Sequence, residues 1–309
     1  MSNLPPPLLS SRLSPQRGLA VESARNDGGG EPLRLCVLGS GSGGNSAVVS
    51  VNGAAMLIDA GLGPRTIAPR LADRGTRVEQ IRAICLTHLD QDHFRPTWIA
   101  TLLRLRLAVF VHRWHVDDLA RLPGGSRLAQ AGLVNVFEDD PFEPVAGVSV
   151  HPVRLAHDTK GTYGFRIDSA GGSLGYATDL GHASRRLIEH FVGVNLLAIE
   201  SNYDPPMQLQ SGRPLFLKRR IMGKAGHLSN GQAFDAVRRI ADASASGDPQ
   251  HIVLLHRSAQ CNHRQLVQEM FNQDAGIAGR LTLAEQRHST PWLAVAPPVT
   301  RHEQMRLGF

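Results

Sequence analysis

Lysine is scarce in this 309-residue chain. Only Lys160, Lys218 and Lys224 occur among 33 cationic residues, so the other 30 are arginine. The planar guanidinium fork suits phosphate and carboxylate partners better than an ammonium point charge. Against 27 acidic residues this leaves a formal net charge of +6 and an isoelectric point near 9.8, which favours an anionic substrate or nucleic acid. Cysteine is scarce as well. Cys36, Cys85 and Cys261 are an odd number without paired spacing, which excludes a disulfide framework and a structural zinc knuckle and fits a reducing cytoplasm. Long apolar runs are missing too: no stretch of 18 apolar residues occurs, and the first 30 residues lack the continuous apolar segment of a secretory signal. Neither a membrane span nor export is therefore expected. Apolar content is ordinary, with 42% hydrophobic residues, 19% charged residues and a mean hydropathy of −0.16, so wholesale disorder is excluded.

Residues 1–32 carry Pro5-Pro6-Pro7, Gly28-Gly29-Gly30 and scattered Ser and Arg with no apolar period, and are expected to form a flexible arm. One compact domain is expected over 33–298, followed by a short tail at 299–309. Within it, short apolar runs predict strands at 33–38, 47–51, 54–58, 81–86, 108–111, 148–155, 163–167 and 174–177, then at 196–199, 252–255, 281–283 and 292–295. Helical periodicity predicts helices at 64–74, 96–105, 183–191, 229–243 and 264–272, with Ser229 as an N-cap. No repeat at a period of 20–50 residues is present.

The densest chemical signal is Thr87-His88-Leu89-Asp90-Gln91-Asp92-His93, four metal-ligand residues within six positions just after an apolar strand. Ionisable groups crowded at a strand end repel and desolvate one another, and a divalent cation removes the conflict. The same placement recurs. His157 follows Val153–Ala156, Asp179 follows Leu174–Thr178, Glu200 closes Leu196–Ile199, and His256 follows Ile252–Leu255. Ligands in open α/β sheets gather beyond the carboxyl ends of strands, so His88, Asp90, Asp92, His93, His157, Asp179 and His256 are expected on one rim, enough for two metals. The glycine-rich Gly39–Ser46 lacks a following Gly-Lys-Ser/Thr and reads as a tight strand connection near the site. His112 and His115 fall outside the ligand order and are expected at the surface or at a helix start. Ser40, Ser42 and Ser258 have no adjacent base, which sets covalent serine catalysis aside.

The run His88-Leu89-Asp90-Gln91-Asp92-His93, followed by His157, Asp179 and His256, resembles the metallo-β-lactamase fold hydrolases, whose signature is His-x-His-x-Asp-His and then a distant His, an Asp and a final His. Four further segments look like the YycJ-like branch of that superfamily: Gly39–Ser46, Leu57-Ile58-Asp59-Ala60-Gly61, Leu217–Gly223 before Gly226-His227-Leu228-Ser229-Asn230, and a last histidine segment ending in Asn262. That branch is described as nuclease-like, with some members acting as exonucleases on DNA. The resemblance implies a four-layer α/β/β/α sandwich. It also implies that His88, Asp90 and His157 hold one metal, that Asp92, His93 and His256 hold a second, and that Asp179 bridges them. Asp90 departs from the signature, where histidine is usual. A shorter, harder carboxylate shifts the first site toward manganese or weakens zinc, and leaves a one-metal enzyme open.

His227 stands just before a helix, where backbone N–H groups favour an anion. In related ribonuclease Z-like enzymes a histidine in such a loop, partnered by a glutamate after a strand, assists phosphodiester cleavage, and Glu200 looks like that partner. Asp92, His227 and Glu200 are thus the expected catalytic groups, with His227 protonating the leaving oxygen. Arg213, Lys218, Arg219, Arg220 and Lys224 form a basic stretch, of which Lys218, Arg219 and Arg220 are the expected substrate-binding residues. The sequence therefore points to a cytoplasmic hydrolase with one or two divalent ions, Zn or Mn, whose metal-bound hydroxide attacks a phosphodiester, with nucleic acid as the expected partner. Two alternatives stay open. One is a small-molecule hydrolase of the same fold acting on a thioester, lactone or β-lactam; the other is a nucleic-acid-binding protein with a vestigial site.

Overall fold

The computed structural model describes residues 31–245 and 248–295. Residues 1–30 of the expected arm, the domain's last residues 296–298 and the tail at 299–309 lie outside the described residues. Glu31 already hydrogen-bonds, accepting from Gly53 N at 3.0 Å and donating its own N–H to Asn52 Oδ1 at 2.9 Å.

Two sheets face each other. In spatial order the first contains β14 (Leu293–Ala294), β1 (Arg34–Gly39), β2 (Ser46–Val51), β3 (Ala54–Ile58), β4 (Ile81–Cys85), β5 (Ala108–His112) and β6 (Val134–Phe137). The second contains β13 (Leu281–Leu283), β12 (His251–Leu255), β11 (Leu196–Glu200), β10 (Gly172–Ala177), β9 (Thr162–Ser169), β8 (Val148–Leu155) and β7 (Phe142–Val145). Strands β1 and β2 are apolar on both faces because both are covered: Leu35, Val37 and Val49 enter the core between the sheets, whereas Cys36, Leu38 and Val48 face helices. Both-face burial is the reason such strands read as continuous apolar runs rather than alternating ones.

The inter-sheet core joins Leu35, Val37 and Met56 to Val150, Phe165, Tyr176 and Val253 of the second sheet. Outside the first sheet pack α1 (Pro64–Ala72), α2 (Trp98–Leu105), α3 (Val116–Arg121) and α4 (Gly125–Gln130), through Ile67, Trp98, Leu119 and Leu128. Outside the second pack α5 (Arg185–Phe191), α8 (Asn230–Ala243), α9 (Arg264–Phe271) and α10 (Ala275–Ala278), through Phe191, Val237, Phe271 and Ile277. The layers are helix, sheet, sheet, helix, the architecture the sequence implied. Ser229 caps α8 in a capping box with Gln232, satisfying two backbone donors that the first turn leaves free.

Several elements were not assigned from sequence: β6, β7, α3, α4 and α10, together with α6 (Pro205–Gln210) and α7 (Leu215–Met222). These are short pieces whose patterns are masked by half-burial, as in β7, where no residue is fully buried. His112 and His115 both stand at a helix start, as expected, but not at the surface. Both are buried, at 4% and 5% exposure, because His112 stacks on Tyr163 with ring centroids 4.1 Å apart and His115 closes the turn into α3. His112 does serve as the expected helix start, its Nδ1 accepting from Trp114 N. Among the described residues no helix is long and apolar enough to cross a membrane.

Strand direction places the site. Strands β3 to β6 run parallel, as do β10 to β13, and β8 points the same way as β10 because each is antiparallel to β9. The carboxyl ends of β8, β10, β11 and β12 therefore share one edge.

Candidate metal centre

His88, Asp90, Asp92, His157, Asp179, His227 and His256 line a single cavity of about 430 Å³. His93 lies directly beneath it, fully buried, with Nε2 2.7 Å from Asp179 Oδ2 and 3.6 Å from Asp92 Oδ2. All seven expected ligands are thus brought together. Ligand atoms of His88, Asp90 and His157 lie within 4.8 Å of one another, as do those of Asp92, His93 and His256, and those of His88, His93 and Asp179.

Three imidazoles are held by their Nδ1 atoms, each in a different way. His93 Nδ1 is 2.7 Å from Asp59 Oδ2, His157 Nδ1 donates to Gly226 O at 3.0 Å, and His88 Nδ1 is 3.0 and 3.2 Å from the hydroxyls of Thr87 and Thr162. Fixing one ring nitrogen leaves the other to present its lone pair, the arrangement that metal-ligating histidines use. Asp59 is fully buried and is itself fixed, accepting from Thr87 N at 2.8 Å and from Thr87 Oγ1 at 2.9 Å. It has no expected role from sequence, although it follows Ile58 at the end of β3 and so meets the same strand-end criterion as the ligands. Asp158, directly after His157, was passed over as well; its carboxylate lies 3.8 Å from His157 Nε2.

The donor set fits a cation. If His93 gives its Nδ1 proton to Asp59, Nε2 and Asp179 Oδ2 are two acceptors 2.7 Å apart, a contact that requires a proton or a metal between them. His256 Nε2 is buried without a hydrogen-bond partner and sits 3.4 Å from Asp92 Oδ2. Such an orphan acceptor costs free energy unless something positive meets it. Imidazole nitrogens with carboxylate oxygens suit zinc or manganese.

Electrostatics are consistent with that need. Burial opposes charge on His93, but Asp179 and Asp59 outweigh it and hold its pKa well above the usual value. His256 is likewise raised against burial, chiefly by Asp179. Burial pushes the Asp179 carboxyl up, yet His256 and His93 hold it well below its ordinary range.

Backbone strain concentrates here. Asp59, Asp158, Asp179 and His256 have φ of 59°, 42°, 53° and 52°, a left-handed region that non-glycine residues occupy at a cost when surrounding structure demands it. The glycine-rich connection supplies part of that structure: Asn45 N donates to Asp92 O at 2.7 Å, and Ser40 Oγ accepts from His256 N at 2.8 Å. A Cβ on Gly61 would stand 1.7 Å from Asp92 O, so only glycine allows that approach.

His227 and Glu200 meet beside the cluster. Glu200 is fully buried; its Oε1 is 2.7 Å from His227 Nδ1 and 3.0 Å from His256 Nδ1, and its Oε2 accepts from Leu180 N and Leu228 N. Burial opposes an imidazolium at His227, but Glu200 raises its pKa. Glu200 itself does not line the cavity, whereas His227, to which it is bonded, does. The basic stretch divides. Arg213 and Arg220 line the cavity, whereas Lys218 donates to Leu209 O and Arg219 faces a neighbouring groove. Arg220 is paired with Asp158, its Nε donating at 3.0 Å. Arg213 has only neutral hydrogen-bond partners, Gln260 and Gln208, and no carboxylate pairs with it.

A rim of candidate metal ligands between two sheets of this order defines a metallo-hydrolase class. The family model described as the Beta-lactamase superfamily domain matches residues 55–256, and the chain belongs to that family, in its YycJ-like branch. It is 26% identical over 241 residues to the exodeoxyribonuclease YycJ of Bacillus anthracis, covering 78% of this chain and 88% of that protein. It is 25% identical over 251 residues to the exodeoxyribonuclease WalJ of Streptococcus pneumoniae serotype 2, covering 79% and 91%. Among solved structures, the metallo-β-lactamase fold protein YhfI from Bacillus subtilis superposes with a TM-score of 0.61 at 16% identity, covering 84% of this chain and 99% of that one.

Proposed function

We propose that the protein is a metal-dependent phosphodiesterase that hydrolyses nucleic acid, with DNA as its substrate and zinc or manganese as its metal. The carrying observation is the Glu200–His227 pair set against the ligand cluster in one cavity; the exodeoxyribonuclease names of the relatives support DNA. His88, Asp90 and His157, and Asp92, His93 and His256 together with Asp179, would hold one or two divalent cations, which would supply Lewis acidity that lowers the pKa of water from about 15.7 to about 7 and offsets charge on the phosphate.

The chain's own groups do the rest. Arg213 faces the cavity with its charge unspent and takes a phosphate oxygen. His227, whose charged form Glu200 favours, gives its Nε2 proton to the departing oxygen, so that the leaving strand end departs as an alcohol. Glu200 is the positioning residue: it fixes the His227 ring and stabilises the imidazolium before proton transfer. The same carboxylate holds His256, which couples the acid to the metal ligands.

The test joins metal analysis of protein purified without chelator to turnover of end-labelled single- and double-stranded DNA and RNA. Stoichiometric zinc or manganese with chelator-sensitive release of nucleotides from DNA is expected. A folded protein that holds metal but leaves all four polymers intact would overturn the assignment.

A further inference from the structure

Arg213 is held by two amides and no acid. Its Nη1 donates to Gln208 Oε1 at 3.0 Å and its Nε to Gln260 Oε1 at 3.1 Å. A guanidinium carries five N–H donors, and no described residue takes the other three. The surrounding stretch is free of acids, with no Asp or Glu between Asp204 and Asp235. Arg213 and Gln260 line the metal-centre cavity, whereas Gln208 does not line it and is fully buried.

Gln208 is a costly group to bury. Its Nε2 has no hydrogen-bond partner among the described residues, a cost that an apolar side chain would avoid. What the amide supplies is a neutral acceptor for Arg213. A carboxylate in its place would pair with the guanidinium and offset its charge, and an aliphatic group would leave the guanidinium free to swing.

The amides also tie Arg213 to the metal centre. Gln208 lies on α6, which follows β11 and Glu200, and Gln260 lies in the segment after β12 and His256. These two segments are bonded to each other: Asp204 N donates to Cys261 O at 2.8 Å, Ser258 N to Asn202 O at 2.8 Å, and Asn202 Nδ2 to His256 O at 2.6 Å. Arg213 bridges the same two segments, so its guanidinium keeps one place relative to His256 and Glu200.

Resting on the phosphodiesterase reading, we propose that Gln208 is a positioning residue which, with Gln260, clamps Arg213 without neutralising it, and that this clamp makes Arg213 the anion subsite for one substrate phosphate. Guanidinium N–H groups and phosphate oxygens match in geometry and charge. Ordering the side chain before substrate arrives removes its rotamer entropy from the cost of binding.

Fluorescence anisotropy of the full-length, metal-loaded protein with a labelled DNA duplex tests this over a series of salt concentrations, with phosphorothioate linkages protecting the duplex ends. Gln208→Glu puts a carboxylate oxygen 3.0 Å from Arg213 Nη1. Duplex binding should weaken about 10- to 100-fold, and the slope of log affinity against log salt should become shallower by about 0.9, the value for one phosphate contact. Arg213→Gln should change the slope equally, and the double variant should bind no worse than Arg213→Gln, because both changes act on one guanidinium. Gln208→Met, which removes the acceptor without adding charge, keeps the test open where Gln208→Glu does not fold, and should weaken binding about 2- to 12-fold. Affinity within about twofold of the parent in the folded Gln208 variants overturns the clamp, as does an additive loss in the double variant. Binding that depends on Gln208 in a protein that hydrolyses no phosphodiester supports the clamp and sinks the enzyme reading; hydrolysis with Gln208-independent binding does the reverse.

Discussion

Asp59→Asn should remove metal while leaving the fold in place. The residue has φ of 59°, which asparagine tolerates better than most side chains, so backbone strain does not change. The remaining oxygen can still accept from Thr87 N, now 2.8 Å away. What changes is the atom facing His93 Nδ1 at 2.7 Å: an amide NH₂ there cannot accept the ring proton. His93 must then move its proton to Nε2, the nitrogen that faces Asp179 and Asp92, and the ligand lone pair is lost. Losing an outer partner of a ligating histidine costs about 10- to 100-fold in metal affinity, or about 1.4–2.7 kcal/mol. The loss of one buried hydrogen bond adds about 1 kcal/mol of destabilisation, a fall in Tm of about 2–4 °C. Zinc titration against a competing chelator, with the melting curve as a folding control, measures both. A folded Asp59→Asn protein that binds zinc within about twofold of the parent would refute the claim that Asp59 sets the His93 tautomer.

His227→Ala should lower kcat about 10²- to 10⁴-fold with metal content unchanged, and the penalty should shrink on a nitrophenyl phosphodiester; equal slowing on both substrates would mean that His227 positions substrate rather than donating a proton. Asp90→His, at a side chain 3.8 Å from His88 Nε2, should tighten zinc relative to manganese, and an unchanged preference on titration would remove Asp90 from the ligand set. In chelator-treated protein, the depressed Asp179 contributes stability above about pH 3.9 that is lost as pH falls through its folded value, and the raised His93 and His256 contribute fully below about pH 6.5 and lose it as pH rises toward theirs. Melting in chelator should therefore peak between about pH 4 and 6.5, with added metal moving the optimum upward because it binds deprotonated imidazoles; a Tm that climbs steadily from pH 5 to 8 in chelator would contradict this.

The sequence by itself determined every described strand except β6 and β7, and with the strands the candidate ligands. An apolar run that ends abruptly in His, Asp or Glu is a local pattern, and where both faces of a strand are covered, as in β1 and β12, the run is unbroken and easy to read. Each of the seven candidate ligand positions was legible because each lies within eight residues of such an ending. Tertiary structure alone decided which ring nitrogen each histidine presents, since the anchors Asp59, Gly226, Thr162 and Glu200 come from other strands and loops. It also decided that His112 and His115 are buried, and that of the basic stretch Arg213 and Arg220 turn toward the cavity while Arg219 does not. These outcomes depend on contacts between residues tens of positions apart, fixed by strand register and by the facing of two sheets, and a local pattern carries no information about either.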